Sequence, residues 1–186
     1  MNDINNLLLE STSNDVNYIE IVLVQKKCNE FVYDIHFTEA QCSAIIQNIL
    51  LKYPKNKFFK KHTTRTVLNT LELTHCNTDN SKTLHNLIMV DNRVETMNNN
   101  TILINFYEKN ILPNHCFPSS MDVTDIIDSK RLSMKITNNI YINIDSLQYM
   151  DGSVYKHIYI NINIKKTNDM VYISNTVNDV VNSLTQ

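Results

Sequence analysis

The chain has 186 residues, a formal net charge of −2, and 42% hydrophobic against 19% charged residues, the proportions of one ordinary globular domain able to bury a sizeable core. No apolar run reaches the roughly eighteen residues of a membrane-spanning helix. Met1–Glu10 offers only Leu7-Leu8-Leu9 and no basic start, so neither an anchor nor a secretory leader is expected. A single glycine, Gly152, excludes Rossmann and P-loop phosphate cradles, a kinase glycine loop and a G-x-S-x-G elbow, because only glycine lets the backbone approach an anion so closely.

Asparagine (28), isoleucine (22) and lysine (14) crowd the chain, while glycine, proline and alanine are scarce. The first three have AT-rich codons and the last three GC-rich ones, which points to an AT-rich genome such as that of a large DNA virus. The cysteines at 28, 42, 76 and 116 share no C-x-x-C spacing. They read as free thiols in a reducing compartment: the cytoplasm, or the host cytoplasm or virion for a viral protein.

In chain order, residues 1–15 read as a flexible arm and 16–186 as one α+β domain. Val16–Val24 and Phe31–Phe37 are predicted strands around the polar Gln25–Glu30 turn. Thr38 with Gln41 three residues on forms a capping box. Cys42, Ile45, Ile46, Ile49, Leu50 and Tyr53 then trace one helical stripe that Pro54 ends. Strands are expected at Thr66–His75, Leu84–Val90, Arg93–Met97 and Thr101–Tyr107, with Asp91-Asn92 as a hairpin turn. Residues 110–118 read as loop, Ser119–Ser129 as a short capped helix, and Val177, Val180, Val181 and Leu184 as a closing helix. Between them, Ile140, Ile142 and Ile144 alternate with polar residues, as do Ile158, Ile160, Ile162 and Ile164. A three-residue loop, Met150-Asp151-Gly152, opposes Ile144 to Ile158, Ile142 to Ile160 and Ile140 to Ile162, and puts the glycine where a left-handed residue belongs. The resulting fold class is α+β: a mostly antiparallel sheet or open barrel with one amphipathic helix packed on it and a C-terminal helix.

Two features carry candidate chemistry. Lys52, Lys55, Lys57, Lys60, Lys61 and Arg65 put six basic residues and no acid between positions 52 and 65, interleaved with Phe58 and Phe59. Lysines would meet phosphates as point charges and a phenylalanine could stack on an unpaired base, so this segment is the nucleic-acid-binding candidate; the alternative is a solvated loop. The polar side of the 140–164 hairpin displays Tyr141, Asn143, Tyr149, Tyr155, His157 and Tyr159, with Asp145 facing His157. Tyrosines and amides suit a protein-contact face, and the alternative is the plain solvent side of a sheet.

Other patterns carry less. His75-Cys76 and His115-Cys116 match no zinc spacing, and neighbours on a strand point apart. Asp122, Asp125 and Asp128 could converge on a helix face, but no calcium-loop pattern follows. No metal, nucleotide or other cofactor is expected.

One enzyme class built on antiparallel strands is open to a direct test. Triphosphate-tunnel enzymes, including viral RNA-capping triphosphatases, carry paired Glu-x-Glu metal ligands. Here Glu20 is followed by Ile21-Val22 and Glu72 by Leu73-Thr74, so neither makes the pair and the chain reads as outside that class. The sequence alone thus predicts a non-catalytic binding or accessory module, not an enzyme. Its expected partner is a protein or a second copy of itself, with nucleic-acid binding through the basic segment, or an unrecognised enzyme, as alternatives.

Overall fold

Isoleucine alternates with polar residues through two neighbouring strands, β8 (Ile140–Gln148) and β9 (Val154–Asn163). They pair with Ile140, Ile142 and Ile144 opposite Ile162, Ile160 and Ile158. Between them Tyr149 N–H donates to the Ser153 carbonyl at 3.0 Å. Gly152 holds φ at +83°, a conformation that a side chain disfavours, and so sets this register.

The computed structural model describes residues 16–26, 33–34, 36–97, 100–116, 124–164 and 170–184. Within them the order is β1 (Tyr18–Lys26), β2 (Tyr33–Asp34), α1 (Glu39–Lys52), β3 (Phe58–Leu68), β4 (Leu71–Cys76), β5 (Lys82–Met97), β6 (Asn100–Leu112), a 3-10 turn (Asn114–Cys116), β7 (Asp125–Lys135), β8, β9 and α2 (Met170–Leu184). Every pairing is antiparallel. The strands run β1-β6-β5-β4-β3-β7-β8-β9, and β9 returns to β1 through Tyr18–Val22 opposite Asn163–Tyr159. Eight strands therefore close into a barrel, with β2 as a two-residue stub beside β1. Closure leaves those strands no free edge.

The apolar core lies outside this barrel. Ile19, Ile21 and Leu23 of β1, Ile102, Ile104 and Phe106 of β6, and the hairpin isoleucines form one buried cluster with Cys42, Ile45 and Ile49 of α1 and Ile173, Val177, Val180, Val181 and Leu184 of α2. Thr38 caps α1 as its sequence predicts: Thr38 Oγ1 accepts from Gln41 N–H at 3.3 Å, and Gln41 Oε1 accepts from Thr38 N–H at 2.9 Å. A salt bridge from Lys156 to Glu39 and a 2.9 Å bond from Phe37 N–H to the Lys156 carbonyl fasten that end of the helix to β9.

These observations correct the expected fold. The sheet is neither open nor an open barrel but closed, and the C-terminal helix packs into the same core cluster as α1. Closure joins residue 18 to residue 163, a contact that no local pattern announces. The helix expected over 119–129 is overturned from position 125 on, where β7 runs (119–123 lie outside the described residues, as do the arm 1–15 and most of the 25–30 turn). The expected strand 66–75 is broken by a turn at Asn69, which adopts φ +52°, separating β3 from β4. No turn interrupts β5 at Asp91-Asn92. A bulge at Val90 instead shifts the register between Met89 and Asp91, reversing which alternate residues face inward. Among the described residues no helix is long and apolar enough to cross a membrane.

Candidate active site

Side chains alternate across a strand, so with isoleucines facing the outer core the polar set faces the barrel axis. The interior is accordingly a polar lumen. Its larger cavity, about 430 Å³, is walled by Tyr18 and Glu20 (β1), Lys61, Thr63 and Arg65 (β3), Glu72 and Thr74 (β4), His85 and Leu87 (β5), Tyr107 and Lys109 (β6), Arg131 (β7), Tyr141 (β8), and Tyr159, Asn161 and Asn163 (β9). A second cavity of about 260 Å³ shares Glu20, Arg65 and Tyr159 and continues past Asn105, Asp145, Leu147, Tyr149 and His157. The larger space falls in the range of small-ligand sites, about 300–1,000 Å³.

Charge dominates this lumen. Lys61, Arg65, Lys109 and Arg131 all line the larger cavity. Among the lining residues of the two cavities the carboxylates are Glu20, Glu72 and Asp145. Asp145 is 1% exposed and fully engaged: Arg131 donates to both its oxygens at 2.7 and 2.8 Å, and Tyr159 O–H donates at 2.6 Å. Burial alone would push its pKa up, but the Arg131 charge and these hydrogen bonds hold it below the usual carboxylate range. Glu72 accepts from Thr74 O–H at 3.0 Å and stands 3.6 Å from Arg65. Among the described residues Glu20 has a hydrogen bond only from the Asn105 amide, at 3.4 Å, and burial raises its pKa against that bond.

Arg131 aside, the cations are less occupied. Lys109 Nζ sits 4.3 Å from the centre of the Tyr18 ring, and burial lowers its pKa. Arg65 Nε and His85 Nδ1 are buried with no hydrogen-bond partner among the described residues. Burial likewise lowers the His85 pKa. At the far end of the second cavity, His36 stacks on Tyr155 with ring centres 4.0 Å apart and meets His157 across 3.2 Å, while Tyr149 packs edge-on to Tyr155.

The basic segment does not form one surface. Lys52 ends α1, and Lys55 and Lys57 sit exposed in the following turn. Phe58 packs against the outer core and Lys60 is exposed. Lys61 and Arg65 point into the lumen; Phe59, 48% exposed, stands on their side of β3 at its outer end. Of the hairpin residues, Tyr141 and Tyr159 line the larger cavity, Tyr149, His157 and Tyr159 the second, and Asn143 is buried, accepting from Ser133 O–H at 2.7 Å. Asp145 does lie opposite His157 in register, but its carboxylate turns to Arg131.

The other patterns disperse. Cys76 is buried while His75 bonds Asn80 at 2.7 Å, and His115 and Cys116 are both exposed. With β7 a strand, Asp125 and Asp128 fall on opposite faces, and Asp128 meets His62 at 2.7 Å. Sequence reasoning missed Glu20, Glu72, His85, Lys109 and Arg131 as site residues. The signal for Glu20 was its polar place between Ile19 and Ile21, and the expected helix over 119–129 hid the strand carrying Arg131.

A closed antiparallel barrel with a polar, charge-lined interior and helices on its outside has counterparts among solved structures. An S. pombe RNA triphosphatase superposes with a TM-score of 0.68 at 10% identity, over 97% of this chain and 83% of that one. The mimivirus capping enzyme triphosphatase gives 0.64 at 10% identity, over 98% and 96%. The S. pombe enzyme in complex with the Spt5 CTD gives 0.65 at 9% identity, over 96% and 82%. The fold is the triphosphatase tunnel. No protein-family model matches the sequence, and no curated protein matches it.

This corrects two expectations. The chain has the tunnel architecture although it lacks the Glu-x-Glu pairs. The expectation of a non-catalytic protein-interaction module also falls, because the S. pombe and mimivirus proteins that share this barrel are triphosphatases.

The divalent metal that Glu-x-Glu pairs would hold does not fit these residues. Along β1 the residues on the Glu20 side are Tyr18 and Val22, and across from them β9 presents Tyr159, Asn161 and Asn163. Asp145 is consumed by Arg131 and Tyr159. Among the described residues no three acids, histidines or cysteines gather into a ligand set.

Proposed function

We propose that this protein takes the triphosphate group at the 5′ end of an RNA into its tunnel and releases the terminal phosphate by hydrolysis. The observation carrying this reading is the closed barrel whose larger cavity is walled by Lys61, Arg65, Lys109 and Arg131. Phosphoryl transfer depends chiefly on positioning and on stabilising charge over the transferred group, which is what such cations offer at the wall of a tunnel. Water forms the new bond to the terminal phosphorus and the bond to the bridging oxygen breaks, leaving diphosphate-ended RNA and inorganic phosphate. Glu20, the least engaged lumen carboxylate, accepts the proton of the attacking water, and its raised pKa makes it a better base for that role.

An RNA substrate, as opposed to a free nucleotide, is favoured by β3. Phe59 and Lys61 lead from the exposed rim into the cavity, an aromatic for a base and a cation for the backbone. The free thiols Cys42, Cys76 and Cys116 suit action in a reducing compartment such as the cytoplasm.

The test is phosphate release from 5′-triphosphate RNA, GTP and inorganic tripolyphosphate, assayed with and without Mg²⁺. Release from the RNA, reduced about tenfold or more by Arg65→Met, is the expected result. A folded protein that frees no phosphate from any of the three overturns the proposal.

A further inference from the structure

We propose that the tunnel grips its phosphate chain with side-chain cations alone and needs no bound divalent ion to do so. This deepens the triphosphate reading and rests on it. A hard divalent cation needs several oxygen ligands converging on one point, and the carboxylates of this lumen are spent elsewhere or isolated. Asp145 has both oxygens on Arg131, with Tyr159 O–H as a further donor. Glu72 is shared between Arg65 and Thr74. Glu20 has no acid beside it on β1, where Tyr18 and Val22 flank it, or facing it from β9, where Tyr159 and Asn161 stand, and Asp145 in the adjoining cavity is already held by Arg131.

The donors have the opposite character. Arg65 Nε is buried at the cavity wall without a partner among the described residues, and a buried donor in that state gains most from an arriving ligand. Lys109 meets only the face of Tyr18 with its ammonium among the contacts described, and Lys61 reaches the same cavity from its exposed end. Guanidinium groups match phosphate oxygens in pairs, and ammonium groups match them as point charges. With Arg131 neutralised by Asp145, Lys61, Arg65 and Lys109 still outnumber Glu20 and Glu72 around the larger cavity. That surplus is what a bare polyanion requires, and a metal-bridged site would reverse it.

Calorimetric titration of the full chain with inorganic tripolyphosphate, in EDTA and then in Mg²⁺ or Mn²⁺, tests this directly. Binding in EDTA is expected, and it should weaken when the metal is added, because a metal-complexed chain carries less charge for the protein to neutralise. Arg65→Met should weaken binding in EDTA about tenfold or more, with folding checked by circular dichroism. Glu20→Gln should tighten it, since an opposing charge is removed, whereas a metal ligand set would lose affinity. Binding seen only with a divalent ion overturns the inference and leaves the triphosphate reading standing. Absence of binding under every condition overturns both.

Discussion

Arg131 clasps Asp145 across neighbouring strands with two parallel hydrogen bonds, Nε to Oδ1 at 2.7 Å and Nη2 to Oδ2 at 2.8 Å. Removing the guanidinium strands a carboxylate that is 1% exposed. Arg131→Met should therefore cost about 3–5 kcal/mol at neutral pH, the scale of breaking one side of a buried pair. Converting Asp145 to Asn as well should recover part of that loss. The folded-state pKa of Asp145 is depressed, so its contribution is full above the unfolded value of about 3.9 and fades as pH falls through the folded one. Urea midpoints at pH 7 and pH 3 should show the destabilisation by Asp145→Asn shrinking in acid.

Glu20 should behave in the opposite sense. Burial raises its pKa, and the bond from Asn105 only partly offsets this. A raised folded-state value means that its contribution is most favourable below the unfolded value of about 4.3 and is lost as pH rises through the folded one. At neutral pH the ionised side chain thus costs stability that a neutral amide would not. Glu20→Gln should stabilise the fold by about 1–3 kcal/mol at pH 7, the scale for a poorly satisfied buried polar group. The gain should vanish near pH 4. Thermal melts across that interval would expose an equal gain at both ends, the result against this account.

What the sequence makes legible is local. Thr38 and Gln41 announce the start of α1, and Gly152 with the flanking isoleucines yields the β8–β9 register residue for residue. The same alternation could not say what the polar face of that hairpin meets. Tyr141 and Tyr159 would alternate with isoleucine on a solvent-facing sheet just as they do on the wall of a polar tunnel, because both environments are hydrated. Only the pairing of Tyr18 with Asn163 distinguishes them, and those residues are far apart in the chain. The bulge at Val90 had a similar effect: a change of inward parity within one continuous strand looks like two strands and a turn.

Placing the apolar core outside the barrel has a measurable consequence. Ile160 is fully buried between β9 and the helices, while Leu51, near the end of α1, is 80% exposed. Ile160→Ala should cost about 2–5 kcal/mol through lost burial and the cavity left behind. Leu51→Ala should stay within about 0.5 kcal/mol. Denaturant midpoints of the two variants check the assignment, and comparable losses would contradict it.

Phe59 and Lys61 lie on one side of β3, the phenylalanine at the rim and the lysine in the cavity wall, and their substitutions should separate the two parts of the proposed substrate. Phe59→Ala should weaken binding of a 5′-triphosphate RNA by about 1–3 kcal/mol, the value of one base stacked on an aromatic ring. It should leave tripolyphosphate binding unchanged, since that ligand has no base to stack. Lys61→Ala should weaken both ligands, because its ammonium meets phosphate in either case. For the RNA, losing that one contact should also flatten the dependence of log affinity on log salt by about 0.7, the single-strand value per phosphate neutralised. Fluorescence anisotropy with the labelled RNA, repeated at several salt concentrations and in competition with tripolyphosphate, reads all of these quantities. Equal losses of the two ligands in Phe59→Ala would place the RNA chain elsewhere on the molecule, because a rim aromatic that acts on the phosphate group alone is not stacking a base.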